Sequence, residues 1–397
     1  MGKRNRTYLR WLCFTGSFTL GLFCAINMTL LVRVCAEFGV GSAAYGIMTG
    51  LYGIGMLISA VALSELIERW GRKKCLLLAL GLGCAGSAGL GFSTGYYSAC
   101  AGLLVAGFGL CMLECTIISI LADRAPEKAG RELNLSQAFF SVGAVVSPIF
   151  AGRYVAAGGN WRVMYFSMAV ILALLFAGFV REEFGTRNAQ SGKAKASPIA
   201  FTLLRSPLLL CYMLMIMLYV ACECGAMFWL LPYLEQFFAM DVPGELGISV
   251  FWFVMTFGRL IGARVDRQRE LIVAGWLVAA VGFAGFVLLP NFAWKLAALG
   301  VVGFGMGPIW PSLQALGGMQ FPAHSGAAFA MMQLASTLGI VVGQPTLGIL
   351  VEGNPVSLAF WIMGALCALF ALFSVAIMAF ERRKKTCPYV TQTRSDA

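Results

Sequence analysis

Charge is what this sequence has least of. Only 12% of its 397 residues are Asp, Glu, Lys or Arg, and there is one histidine, His324, against a hydrophobic share of 59%. Soluble domains carry about a quarter of their residues as charged side chains, so an ordinary soluble fold is excluded. The thirteen cysteines include no CxxC pair and lie mostly within apolar runs, where cysteine behaves as a small apolar side chain. Neither a disulfide scaffold nor a metal centre is expected. No Walker sequence or nucleophile elbow occurs, which argues against an ATP-driven pump or an enzyme and leaves no cofactor to expect. His324 falls in a loop and reads as a solvated residue. Gly81-Leu82-Gly83-Cys84-Ala85-Gly86 does satisfy GxGxxG, but it lies inside an apolar run with no soluble strand before it. A dinucleotide site is excluded on that context. These glycines, like those of 103–109 and 300–307, are expected to let helices approach closely.

Apolar sequence fills the chain instead. Crossing a hydrocarbon core of roughly 30 Å takes about 20 apolar residues. Runs of that size fall at 10–33, 44–64, 74–94, 98–121, 132–155, 162–181, 207–235, 246–264, 271–289, 293–317, 325–351 and 356–380. The fold class that follows is an all-α membrane protein of twelve transmembrane helices. The opening MGKRNRTYLR and its apolar run look like a secretory signal. The run is too long and lacks a small-residue cleavage site, so it is read as the first span.

The net charge of +11 raises the question of nucleic acid, and the placement of the basic residues answers it. With the N-terminus in the cytoplasm, 25 of the 29 Lys and Arg fall on or near the inner face, leaving Arg33, Arg153, Arg162 and Lys295 near the outer one. This asymmetry is the positive-inside pattern, and it puts both termini in the cytoplasm. The expected surroundings are a lipid bilayer, most simply a bacterial cytoplasmic membrane, with no nucleic-acid partner and a monomeric state.

The chain is duplicated. The charged turns Glu68-Arg69-Trp70-Gly71-Arg72 and Asp266-Arg267-Gln268-Arg269 correspond at an offset of 198. At an offset of 196, VAGFGLCMLE (105–114) lies on VVGFGMGPIW (301–310), Gln137 on Gln333, Gly143 on Gly339 and Gly152 on Gly348. The organisation expected is an N-terminal six-helix lobe over 1–181, a cytoplasmic linker over 182–206, a second six-helix lobe over 207–380 and a cytoplasmic tail over 381–397. Two pseudo-repeat lobes of this size make a secondary transporter, with its cargo site near mid-membrane between them.

Ionisable and polar groups inside spans mark that site. Glu114 stands alone in the fourth span and Glu223 in the middle of the seventh; no other acid lies as deep. A transporter that moves a proton with its cargo needs a group that gains and loses a proton as access alternates, and a desolvated carboxyl suits this. The alternative for Glu114 is a structural partner, an Arg on a neighbouring helix. Polyhydroxy ligands are held by aromatic faces and amides on apolar walls, and the chain offers Tyr219, Trp229, Trp252 and Trp310 with Asn27, Gln137, Gln333 and Gln344. Each Trp can equally be packing against lipid or core, and the intramembrane Gln can bond across helices alone. Arg259, five residues before Arg264, either snorkels to the inner surface or pairs with Asp266 or Glu68.

The two charged turns resemble the signature loop of the major facilitator superfamily, G-x-x-x-D-R-x-G-R-K. The second keeps Gly262, Asp266 and Arg267; the first has Ser64 for Gly and Glu68 for Asp, followed by Arg69 and Arg72. The resemblance implies that these acids and bases tie helix ends together in one conformation and release them in another. The simpler reading of Arg72, Lys73 and Lys74 is inner-face anchoring. A narrower resemblance, to the fucose/galactose/glucose proton-symporter family, rests on G-x-G-x-x-x-x-E ending at Glu114, on LNLSQAFFSVGA, on GFGMGPIWP and on Tyr219-x3-Glu223-x5-Trp229-x3-Tyr233. It implies proton coupling at Glu114. It also departs from the family pattern, with Met28 where those symporters carry an Asp in helix one and Phe140 where they carry an Asn.

Proton-coupled uptake of a monosaccharide or similar polyhydroxy solute is the leading expectation. Proton-antiport export of amphipathic drugs or metabolites is the alternative, favoured by the missing helix-one acid and the many Met and Phe. A non-transporting nutrient receptor on the same fold stands third, since the segment 381–397 is short for its signalling extension.

Overall fold

In a bilayer interior no water is present to meet backbone amides, so each segment has to satisfy its own, and helices do so. The structure, a computed structural model, describes residues 3–40, 42–182, 203–238, 244–322, 324–351 and 354–386. Its helices in the first half are α1 (Lys3–Glu37), α2 (Ser42–Trp70), α3 (Arg72–Gly91), α4 (Tyr96–Arg124), α5 (Ala129–Ala156) and α6 (Arg162–Val180). Those in the second are α7 (Pro207–Phe238), α8 (Gly244–Gly262), α9 (Gln268–Leu288), α10 (Phe292–Met306), α11 (Ile309–Gln320), α12 (Ser325–Val351) and α13 (Ser357–Thr386). Among the described residues, ten helical stretches are long and apolar enough to cross a membrane, and the shorter apolar helices Ile47–Leu63 and Gly247–Gly262 complete the twelve.

Three departures from the drawn spans have local causes. The charged turn after the second span shrinks to Gly71, whose φ of 79° lets α2 end and α3 begin on either side of it, a conformation that costs glycine nothing. The tenth span is two helices, α10 and α11, because Pro308 and Pro311 supply no backbone N–H and interrupt the ladder. The helix expected to end at 380 continues as α13 through ERRKK to Thr386. Residues 183–202 of the linker and 387–397 of the tail lie outside the described residues.

Each lobe packs on its own glycines. In the first, a Cβ on Gly143 of α5 would meet the Phe18 carbonyl of α1, and one on Gly107 of α4 the Tyr52 carbonyl of α2. Their repeat partners do the same in the second: Gly339 of α12 against the Met217 carbonyl of α7, and Gly303 of α10 against the Phe251 carbonyl of α8. The duplication read in the sequence is therefore one of contacts. Gly81 differs from the expectation for its GxGxxG stretch, since a Cβ there would meet open space.

The lobes meet along α2 with α12, α5 with α8, and α5 with α11. α4 also reaches α12 and α11 of the second lobe, while α3, α6, α9 and α13 pack on helices of their own lobe.

Candidate functional site

α4 delivers Glu114 to the seam between the lobes. Its Oε1 accepts from Nε2 of Gln137 on α5 at 3.4 Å, and its Oε2 accepts from Nε2 of Gln333 on α12, also at 3.4 Å. The two glutamines matched by the duplication therefore converge on one carboxylate, each from its own lobe. The partners of Glu114 are neutral amides at the long end of hydrogen-bond distance, and among the described residues no salt bridge reaches it.

Glu223 on α7 has different company. Its Oε1 accepts from the Tyr219 hydroxyl at 2.8 Å and stands 3.8 Å from Nη2 of Arg259. Arg259 is 3% exposed. It neither snorkels to the surface nor meets Asp266: its Nη1 donates to the backbone carbonyl of Gln137 at 2.8 Å and to the Ser141 hydroxyl, both on α5 of the opposite lobe. Its Nε donates to the Gly307 carbonyl at 3.4 Å. That carbonyl is available for a reason legible in the chain, because the residue four positions on is Pro311, which has no N–H to give. The Phe140 and Trp252 rings, one from each lobe, pack against each other at 6.0 Å, and the guanidinium lies to one side of both, 5.9 Å from the first and 5.7 Å from the second.

The remaining candidates are spread more widely. Asn27, buried on α1, accepts from the Tyr165 hydroxyl of α6 at 3.0 Å, and its Nδ2 has no hydrogen-bond partner. Trp310 is buried at the start of α11, and one turn later Gln314, which the sequence reading passed over, is fully buried with neither amide atom partnered. Trp252 packs edge-on to Phe251, Tyr219 edge-on to Trp276, and Trp229 lies half-buried against the core. The side chains of Gln344 and Glu68 lie outside the described residues.

Of the charged-loop candidates, Arg72 joins the lobes. It forms a salt bridge with Asp123 at the end of α4, donates to Ser119 at 2.7 Å and reaches Ser325, the first residue of α12, at 3.2 Å. Ser325 in turn donates to Asp123 at 2.8 Å. Arg69 lies outside this lock, exposed and paired with Glu65 on its own helix at 3.2 Å. Asp266 and Arg267 lie outside it as well: among the described residues their side chains make no hydrogen bond or salt bridge, because they project from the turn before α9 toward solvent. Their neighbour Gln268, which opens α9 as Arg72 opens α3 at the offset of 196, takes the corresponding place. It accepts from Ser312 at 2.6 Å, donates to the Val265 carbonyl at 2.5 Å and abuts Gly130 at the start of α5.

Two six-helix lobes hold a carboxylate between them and are joined by a charged lock at one end. A family model for the Major Facilitator Superfamily matches residues 13–324 and 263–394. The chain belongs to the major facilitator superfamily. It is an integral membrane transporter for a small molecule and not an enzyme. This major facilitator protein is similar to an uncharacterised transporter of the same type from Yersinia pestis, with 23% identity over 91% of this chain and 92% of that one. It shares 31% identity with the multidrug resistance protein MdtG of Proteus mirabilis over 157 residues, 38% of this chain and 39% of that one. Among solved structures, the fucose:proton symporter FucP of E. coli superposes with a TM-score of 0.76 at 17% identity, covering 93% of this chain and 98% of that one.

Proposed function

We propose that the protein takes up a monosaccharide or similar polyhydroxy solute together with a proton, by alternating access across a bacterial cytoplasmic membrane with both termini inside. The observation that carries this reading is the position of Glu114 between Gln137 and Gln333. Of the two half-buried acids at the seam, Glu223 has a cation as its partner and Glu114 has only amides. An ionised carboxylate away from water costs several kcal/mol unless it is paired, so Glu114 is the acid whose charge comes and goes. When it is neutral, the amides of both lobes are released from it, and amides from two sides suit the hydroxyls of a sugar. Trp252 and Trp310 offer the apolar walls such a ligand packs against. The likeness of fold to FucP favours the same class of cargo.

The lock of Arg72, Asp123 and Ser325 closes the end of the bundle at which α2 turns into α3. In the proposed orientation that end faces the cytoplasm, so the conformation is closed toward the inside.

Proteoliposomes with an imposed inward proton gradient test the reading. Labelled hexose should accumulate and the accumulation should collapse with the gradient. The partial likeness to MdtG favours a second reading, export of amphipathic compounds by proton antiport. Efflux of dye against the gradient without any hexose uptake would replace the first reading with the second.

A further inference from the structure

Arg259 is bonded to both lobes. Its Nη1 holds α5 of the opposite lobe at two points, the Gln137 carbonyl and the Ser141 hydroxyl. Its Nε holds the Gly307 carbonyl at the break between α10 and α11. Its own lobe also supplies Glu223, but at 3.8 Å, beyond hydrogen-bond distance, and with the facing oxygen already taken by Tyr219 at 2.8 Å. A buried guanidinium normally keeps a carboxylate in direct contact. Here the charged partner is held off and neutral acceptors on the other lobe take its place.

We propose that Arg259 is a two-position switch that sets which way the transporter faces. In the conformation described, it donates from Nη1 to α5 twice and so clamps α8 to the opposite lobe. When the lobes separate at this level, the Gln137 and Ser141 bonds break, and the guanidinium moves the short distance into contact with Glu223. The acid stabilises the open arrangement by offering the charge that α5 was standing in for. The Phe140 and Trp252 rings meet across the seam at 6.0 Å beside the guanidinium, so separating the lobes also parts this ring contact. Arg259 is a positioning residue: it acts by choosing between partners and touches neither proton nor cargo. The inference rests on the alternating-access reading but on neither the identity of the cargo nor that of the proton carrier.

The test is a distance measurement in the intact protein, with spin labels carried by noncanonical residues at Trp70 of α2 and Arg267 before α9, so that the native cysteines stay untouched. The ratio of short to long distances reports how far the lobes are closed at that end, and it needs neither cargo nor a gradient. Ser141→Ala, which removes an α5 acceptor and leaves Glu223 in place, should shift the population toward long distances by on the order of tenfold, the loss of a charged hydrogen bond. Glu223→Gln should shift it by a similar factor the other way, because Arg259 then has no charged alternative. In an Arg259→Gln background neither change should shift the population further, because both act through Arg259, and Arg259→Lys should retain part of the short-distance population. Unchanged distributions in the single variants, or two shifts in the same direction, would overturn the proposal. Because hexose accumulation is measured separately, a failure of the proton-carrier assignment leaves these shifts in place, and a failure of the switch leaves proton-driven uptake through Glu114 in place.

Discussion

Lys295 shows how one side chain can settle what a proline leaves unmet. Phe286 sits four residues before Pro290, so its carbonyl has no helical donor. The fully buried ammonium of Lys295 donates to it at 2.8 Å, to the Val287 carbonyl at 3.1 Å and to the Tyr233 hydroxyl at 2.7 Å, with the Phe237 ring 4.2 Å away. Lys295→Met keeps the stem and removes the donor; it should destabilise the second lobe by about 1–3 kcal/mol, measured by thermal unfolding in detergent. On the first lobe, Glu37 accepts from Trp161 and from Arg162 at 2.6 Å. Partial burial pushes its carboxyl up, but these hydrogen bonds and the Arg162 charge outweigh it and hold the group below the ordinary carboxylate value. A depressed value in the folded state means the stabilisation is present above the unfolded value and lost as pH falls through the folded one. Glu37→Gln should therefore lower the melting temperature at neutral pH and converge with the wild type in acid. At this scale Glu114 was legible because a lone acid in an apolar run has no cheap explanation, and Gln137 with Gln333 because the duplication paired them. Arg259 was not, because five residues from a basic helix end it looks like a snorkelling side chain. Its true partners, Gln137 and Gly307, are far away in the chain.

Among the elements, glycines decide how closely helices pack. A Cβ at Gly143 would run into the Phe18 carbonyl, whereas one at Gly81 would meet nothing. Gly143→Ala should cost about 1–3 kcal/mol from overpacking. Gly81→Ala should be neutral or stabilising by up to about 1 kcal/mol, the gain in helix propensity. Both follow from thermal unfolding, and a similar loss at the two sites would contradict the packing described. Twelve spans could be drawn from hydropathy alone, but the tenth was drawn unbroken, although GPIWP carries the signal in its two prolines. The loop motif pointed to the correct end of α3, yet it missed Asp123 and Ser325. Those two stand about 200 positions apart, and only the folded chain shows that Arg72 joins them.

For the whole molecule, the two lobes repeat their packing but not their chemistry. Arg72 with its acid sits where the second lobe has neutral Gln268, and Glu114 sits where it has Trp310. On this account Glu114 is the point where proton and cargo meet, so the most direct measurement is cargo-induced proton movement into proteoliposomes, recorded beside counterflow exchange. Hexose added to wild-type vesicles should acidify the lumen. Glu114→Gln should abolish that signal and gradient-driven accumulation while exchange of preloaded hexose continues. Proton uptake that persists in Glu114→Gln would contradict the account.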